Sequence, residues 1–315
     1  MKPTLVISGI VFATGLVAAT LTPAQAQTAP AATTGTTAVA DAYFAGWLTG
    51  RNEVPVRGGP AVGDRNGRAY VVIKISGDRV SYAARWSGIG TPTAFHIHKG
   101  RAGANGDVKI GFFGEALPRS ARAVTGRVTV DDRGLLSAIR RSPSRYYVNV
   151  HTGQFPGGAV RAQLRRLSHP VDLTRVLNDG VRPRLTSYAS GAQEVAEPGK
   201  TVGDRNGAGR WQFGFTGTSL RYAATWSRLA PVTNGHIHRG KKGVNGPVVA
   251  NLFADSDGLP ASISGLAGVS RIPRALARSF LRHPANWYSN IHTTEFPDGA
   301  IRGQLSTHLL LTPGR

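Results

Sequence analysis

The chain of 315 residues contains no cysteine. No disulfide framework can compensate for a thin core, so each folded unit must be large enough to hold itself together. Acidic residues are also scarce, 17 against 38 Lys and Arg. Few of them recur along the chain, which leaves hydrolysis by paired carboxylates poorly supported. No Ser-His-Asp arrangement, nucleophile elbow or phosphate loop can be argued either. Beyond residues 5–21 no apolar run is long enough to span a bilayer, and Leu309-Leu310-Leu311 is far too short. No cysteine follows that first run, which excludes a lipoprotein anchor.

What is present begins with Lys2, an apolar stretch from Leu5 to Leu21 and the small-residue site Ala24-Gln25-Ala26. This pattern predicts a secretory signal over residues 1–26, with a soluble mature chain in the periplasm or outside the cell. Residues 27–40, almost all Thr, Ala, Pro and Gly, read as a flexible leader. The net charge of +21 is spread out: 20 basic against 8 acidic residues over 41–168, and 17 against 9 over 169–315. A general field of this kind favours contact with anionic polymers and solubility alike. Specific nucleic-acid recognition is not expected, because no nucleic-acid motif is visible.

The chain repeats itself at an offset of 140 to 141 residues. Gly63 to Gly67 recurs identically as Gly203 to Gly207, and Tyr82 to Ser87 returns as Tyr222 to Ser227 with one change. His96-Ile97-His98-Lys99-Gly100 becomes His236-Ile237-His238-Arg239-Gly240, and Asn149-Val150-His151-Thr152 becomes Asn290-Ile291-His292-Thr293. Self-similarity over this length means one unit used twice. Within a unit, β-branched and aromatic runs such as 69–75, 80–86, 94–98 and 146–150 alternate with Gly, Asn, Asp and Pro, as in antiparallel β-domains. One short helix is expected before each Asn-x-His strand: Ile272, Leu276 and Phe280 form a stripe behind Pro273, and Asp132 caps a shorter version carrying Leu135 and Ile139. The expected organisation is an all-β chain of two tandem antiparallel sandwich or barrel domains, 41–167 and 185–309. A linker over 168–184 joins them, with a turn of helix around Leu173 to Leu177, and a tail over 310–315 follows.

The ordered set of Gly-x-x-Glu-Val, His-Ile-His-x-Gly with Asn-Gly, and Asn-x-His-Thr-x-x-Phe-Pro-x-Gly-x-x-Arg-x-Gln-Leu resembles the CHRD (chordin) domain, twice. The resemblance implies a β-barrel or immunoglobulin-like unit found in exported proteins. It implies no settled activity.

On a strand, residues two apart share a face. His96 and His98 therefore project together, as do His236 and His238, while Asn149 with His151 and Asn290 with His292 share faces of a later strand. Three imidazoles per domain would converge if the two strands are neighbours, enough for a copper or zinc ion with an open position. A hydrogen-bonded polar cluster without metal is the alternative. The His-x-His strand and the later histidine are also similar to copper/zinc superoxide dismutase, with Arg161 comparably placed. No bridging histidine, zinc-ligand cluster or cysteine pair accompanies them. Arg161 and Arg302 either attract an anion or hold loop carbonyls. Glu53 and Glu194 suggest an ion pair to those arginines, and Asp64 and Asp204 a tight turn rather than a calcium loop. Trp86 and Trp226 read as core, whereas Trp47, Trp211 and Trp287 are not assigned. Three functions follow: a non-enzymatic binding module for an extracellular partner, a copper redox protein, or adhesion to anionic polymers.

Overall fold

A computed structural model describes residues 40–308 of the chain. The expected signal, the leader up to residue 39 and the tail lie outside the described residues.

The first repeat contains nine strands: β1 (Ala42–Thr49), β2 (Arg68–Ser76), β3 (Arg79–Ser87), β4 (Pro92–Lys99), β5 (Val108–Phe113), β6 (Ala121–Thr129), then helix α1 (Arg133–Arg141), β7 (Tyr146–Thr152), β8 (Val160–Gln163) and the short β9 (Arg165–Arg166). Antiparallel pairing runs β6, β3, β2, β1, β8, β7, β4, β5 across one rolled sheet. Alternation decides which residues face inward: on β4, Phe95 and Ile97 are fully buried, while His96 and His98 stand on the opposite face. Helix α2 (Leu173–Asn178) follows, and the second repeat reproduces the plan with β10 (Leu185–Ser190), β11 (Ala208–Thr216), β12 (Ser219–Ser227), β13 (Val232–Arg239), β14 (Val248–Ala254), β15 (Ile263–Arg271), α3 (Arg274–Arg282), β16 (Trp287–Thr293) and β17 (Ile301–Thr307).

The expected all-β class and the two-copy organisation hold, with two differences of detail. Helices α1 and α3 are equally long, so the first is not a shortened copy. Asp132 does cap α1, its carboxylate accepting from Leu135 N at 2.8 Å. The segment read as a linker is built into the molecule: Leu177 of α2 is fully buried with Val181 of the same segment among Ala123 of the first repeat and Ala223 and Ala267 of the second. The repeats are also joined edge to edge, β6 pairing antiparallel with β15 so that Val124 faces Leu266. Ser262 Oγ donates to Phe112 O, and Ser120 Oγ and Tyr222 Oη share a hydrogen bond of 2.8 Å across the same seam. Two sheet edges that would otherwise be exposed are thereby satisfied.

Candidate metal centre

Strands β4 and β7 are neighbours, in a register that sets His96 opposite Asn149, His98 opposite Tyr147 and His151 opposite Ala94. In the second repeat β13 and β16 set His236 opposite Asn290 and His238 opposite Tyr288. Register shifts between β4 and β5 fall on both sides of His96 and Ile97, the kind of irregularity that re-aims side chains. One nitrogen from each of His96, His98 and His151 lies within 4.8 Å of the others, and so does one from each of His236, His238 and His292.

The rings are oriented by what their second nitrogens do. His98 Nδ1 lies 2.9 Å from Gly106 O, and His151 Nδ1 lies 2.9 Å from Pro156 O. A carbonyl accepts only, so each Nδ1 carries the proton and each Nε2 holds a lone pair. His98 Nε2, His151 Nε2 and His96 Nδ1 are buried and have no hydrogen-bond partner. In the second repeat Gly246 O and Pro297 O play the same parts for His238 and His292, both at 2.9 Å, and His236 Nδ1 lies 3.2 Å from His292 Nε2. Burial, reinforced by the neighbouring imidazoles His151 and His98, lowers the His96 pKa to about 4, and His236 is lowered to about 4 in the same way. Burial also lowers His98, His151, His238 and His292. All six rings are thus neutral near pH 7.

A second layer fixes the loop that supplies Gly106. The His98 ring stacks on Tyr147 at 4.7 Å, and the Arg161 guanidinium lies 3.3 Å from the centre of the Tyr147 ring. Arg161, almost fully buried, donates to Arg101 O, Ala104 O and Asn105 Oδ1 at 2.7 to 3.0 Å. Gln163 Nε2 donates to Gly100 O. Arg302, Tyr288, Asn245 and Gln304 repeat the arrangement around His238. Gly106 must be glycine, because a Cβ there would run into the Lys99 carbonyl.

Both arginines therefore hold loop carbonyls, those of the loop after the His-x-His strand. The ion pair expected from Glu53 and Glu194 is not formed. Asn149 Nδ2 donates to both Glu53 oxygens at 3.0 and 3.1 Å, and Asn290 Nδ2 donates to Glu194 at 2.6 Å. Burial raises each of these carboxyls to about 7, against the opposing pull of the asparagine and the nearby arginine. Gly158, at φ +133°, packs against the Glu53 and Asn149 side chains, with no room for a Cβ. Asp64 and Asp204 make the expected tight turns, each accepting from the two backbone amides that follow at positions 66 and 67 or 206 and 207. Trp86 and Trp226 are core as expected, and Trp211 and Trp287 join them, while Trp47 is exposed. Sequence reasoning did not identify Tyr147 and Tyr288 as supports, although each lies two residues before the repeated Asn-x-His and therefore on the same face.

These donors fit a borderline transition metal: three imidazoles, two of them hydrogen-bonded to backbone carbonyls through the far nitrogen, the usual outer support of a ligating histidine. No helix among the described residues is long and apolar enough to cross a membrane. No match was found among curated proteins or among solved structures. A family model described as CHRD domain matches residues 44–164 and again 185–305, regions that contain both histidine clusters and all their supports. The chain belongs to the CHRD domain family, as a tandem pair of its domains.

Proposed function

We propose that the protein is a non-enzymatic binding protein of the cell envelope or extracellular space that takes up one copper or zinc ion in each CHRD unit. His96, His98 and His151 hold one ion, and His236, His238 and His292 the other. The observation that carries this reading is the convergence, in the first repeat, of three buried imidazole nitrogens with no hydrogen-bond partner. Leaving such acceptors unmade costs about 1–3 kcal/mol each, a cost that a cation removes. Their neutrality near pH 7 supports the same reading, since ligation requires the lone pair. Imidazole donors also disfavour calcium and magnesium, which take oxygen ligands. The export expected from residues 1–26 would place both sites where such ions are exchanged with the surroundings.

Native mass spectrometry of metal-free protein after addition of Cu(II) or Zn(II) tests the proposal. Two equivalents are expected, one after either His98→Ala or His238→Ala and none after both. Absence of uptake, or uptake unchanged by these substitutions, would overturn it.

A further inference from the structure

Trp47 on β1 is 67% exposed, although the other four tryptophans are at most 8% exposed. Its cross-strand neighbour Tyr70 lies 4.4 Å away, ring centre to ring centre. The Arg85 guanidinium lies 5.8 Å from Trp47 and 5.7 Å from Tyr70, and is itself held by Asp179 at 3.0 Å. The indole is therefore supported on one side and open on the other. Side-chain entropy that a ligand would otherwise have to remove is already lost.

The platform forms part of a groove of about 810 Å³, which also takes in Arg51, Arg165 and Arg166. All three are exposed and no salt bridge among the described residues involves them, but Arg166 stands opposite inward-facing Phe44 and donates to Arg140 O at 3.1 Å, so Arg51 and Arg165 are the cations left to the Trp47 face. Among the described residues the one acid lining the groove is Glu53, and Asn149 engages both of its oxygens. The second repeat lacks the arrangement: Tyr188 replaces Trp47, Arg210 replaces Tyr70, and Ala192, Ser306 and Thr307 stand where Arg51, Arg165 and Arg166 would be. Neither the fold nor the histidine cluster needs these residues, because the second repeat has both without them.

We propose that this groove of the first repeat binds an acidic saccharide chain, one carboxylated pyranose stacking on Trp47 while Arg51 and Arg165 pair with carboxylates of the chain. The indole face takes the apolar C–H face of a sugar ring, and guanidinium forks match carboxylates in two-point geometry. A single aromatic platform suits one ring of a saccharide better than a polynucleotide, whose successive bases use successive platforms. The site is separate from the histidines and does not depend on metal.

Calorimetric titration of the full chain with trigalacturonate tests this, using galactotriose as the neutral control and oligothymidylate as the nucleic-acid control. Saturable binding of trigalacturonate alone is expected, with quenching of Trp47 as an optical signature. Affinity should fall about tenfold or more with Trp47→Ala and with Arg51→Ala/Arg165→Ala, and stay unchanged with Tyr188→Ala. Circular dichroism would show the variants folded, since every altered residue is exposed. No heat with trigalacturonate, wild-type affinity in Trp47→Ala, or equal binding of oligothymidylate would overturn the proposal.

Discussion

The two repeats exchange residues inside their dry cores yet keep the same polar clusters. Val71, Phe95 and Phe112 fill the core of the first repeat, whereas the corresponding positions of the second hold Trp211, Gly235 and Leu252. The indole occupies volume that a phenyl ring leaves, and a Cβ at Gly235 would collide with the rings of Trp211 and Phe253. A core accepts such exchanges because it constrains total volume and little else. The histidines, their carbonyl acceptors, the Arg-Tyr stack and the Glu-Asn pair are the same in both halves. Hydrogen bonds constrain individual atoms, so no compensating swap is available to them.

The largest expected effect comes from breaking the core exchange. Trp211→Val alone should cost about 3–5 kcal/mol in chemical denaturation, by analogy with other large-to-small core changes. Adding Gly235→Phe should recover most of that loss by restoring the packing of the first repeat. Equal instability of the single and double variants would mean that the cores are not interchangeable.

A smaller effect is expected from the buried arginines. Arg302→Ala removes bonds to Lys241 O, Val244 O and Asn245 Oδ1 and should cost about 2–3 kcal/mol. It should also weaken metal uptake in the second repeat while sparing the first, and Lys should not rescue it, because the forked geometry is lost. Equal loss in both repeats would show that the stack acts on the whole molecule rather than on its own loop.

The smallest effect concerns pH and distinguishes the acids from the histidines within each repeat. The histidine pKa values are depressed in the folded state, so their contribution to stability is present above about 6.5 and lost as pH falls toward about 4. Glu53 and Glu194 are raised from 4.5 to about 7, so theirs is present below about 4.5 and lost as pH rises through about 7. In metal-free protein, Glu53→Gln/Glu194→Gln should therefore gain on the wild type as pH increases from 4.5 to 7, by about 1–2 kcal/mol after allowance for partial exposure. Thermal midpoints across that range measure it. A difference independent of pH would contradict the assignment.

Much of the fold was legible because strand alternation and turn residues are local signals. The composition of Val80 to Trp86 predicts a strand, and the strand formed extends only one residue further at each end. His96 and His98 could be placed on one face for the same reason. Their meeting with His151 depends on pairing between segments some fifty residues apart, which no local rule supplies. The repeat made that pairing worth expecting by presenting the same residues twice. Arg161 was legible as a holder of carbonyls but not of which carbonyls, because its loop is distant in sequence. The groove beside Trp47 was not legible at all. Whether a tryptophan on a strand faces core or solvent depends on what covers it, and Arg165 reaches that place only through the pairing of β9 with β1. The docking of α2 was hidden likewise, since a six-residue helix with two apolar residues inward has no signature of its partners.

The most direct test of the central claim is anomalous diffraction from crystals grown with Zn(II). Two peaks are predicted, each about 2.0–2.1 Å from three imidazole nitrogens: His96 Nδ1, His98 Nε2 and His151 Nε2 in the first repeat, and their counterparts in the second. Peaks elsewhere on the surface with both histidine clusters empty would contradict it.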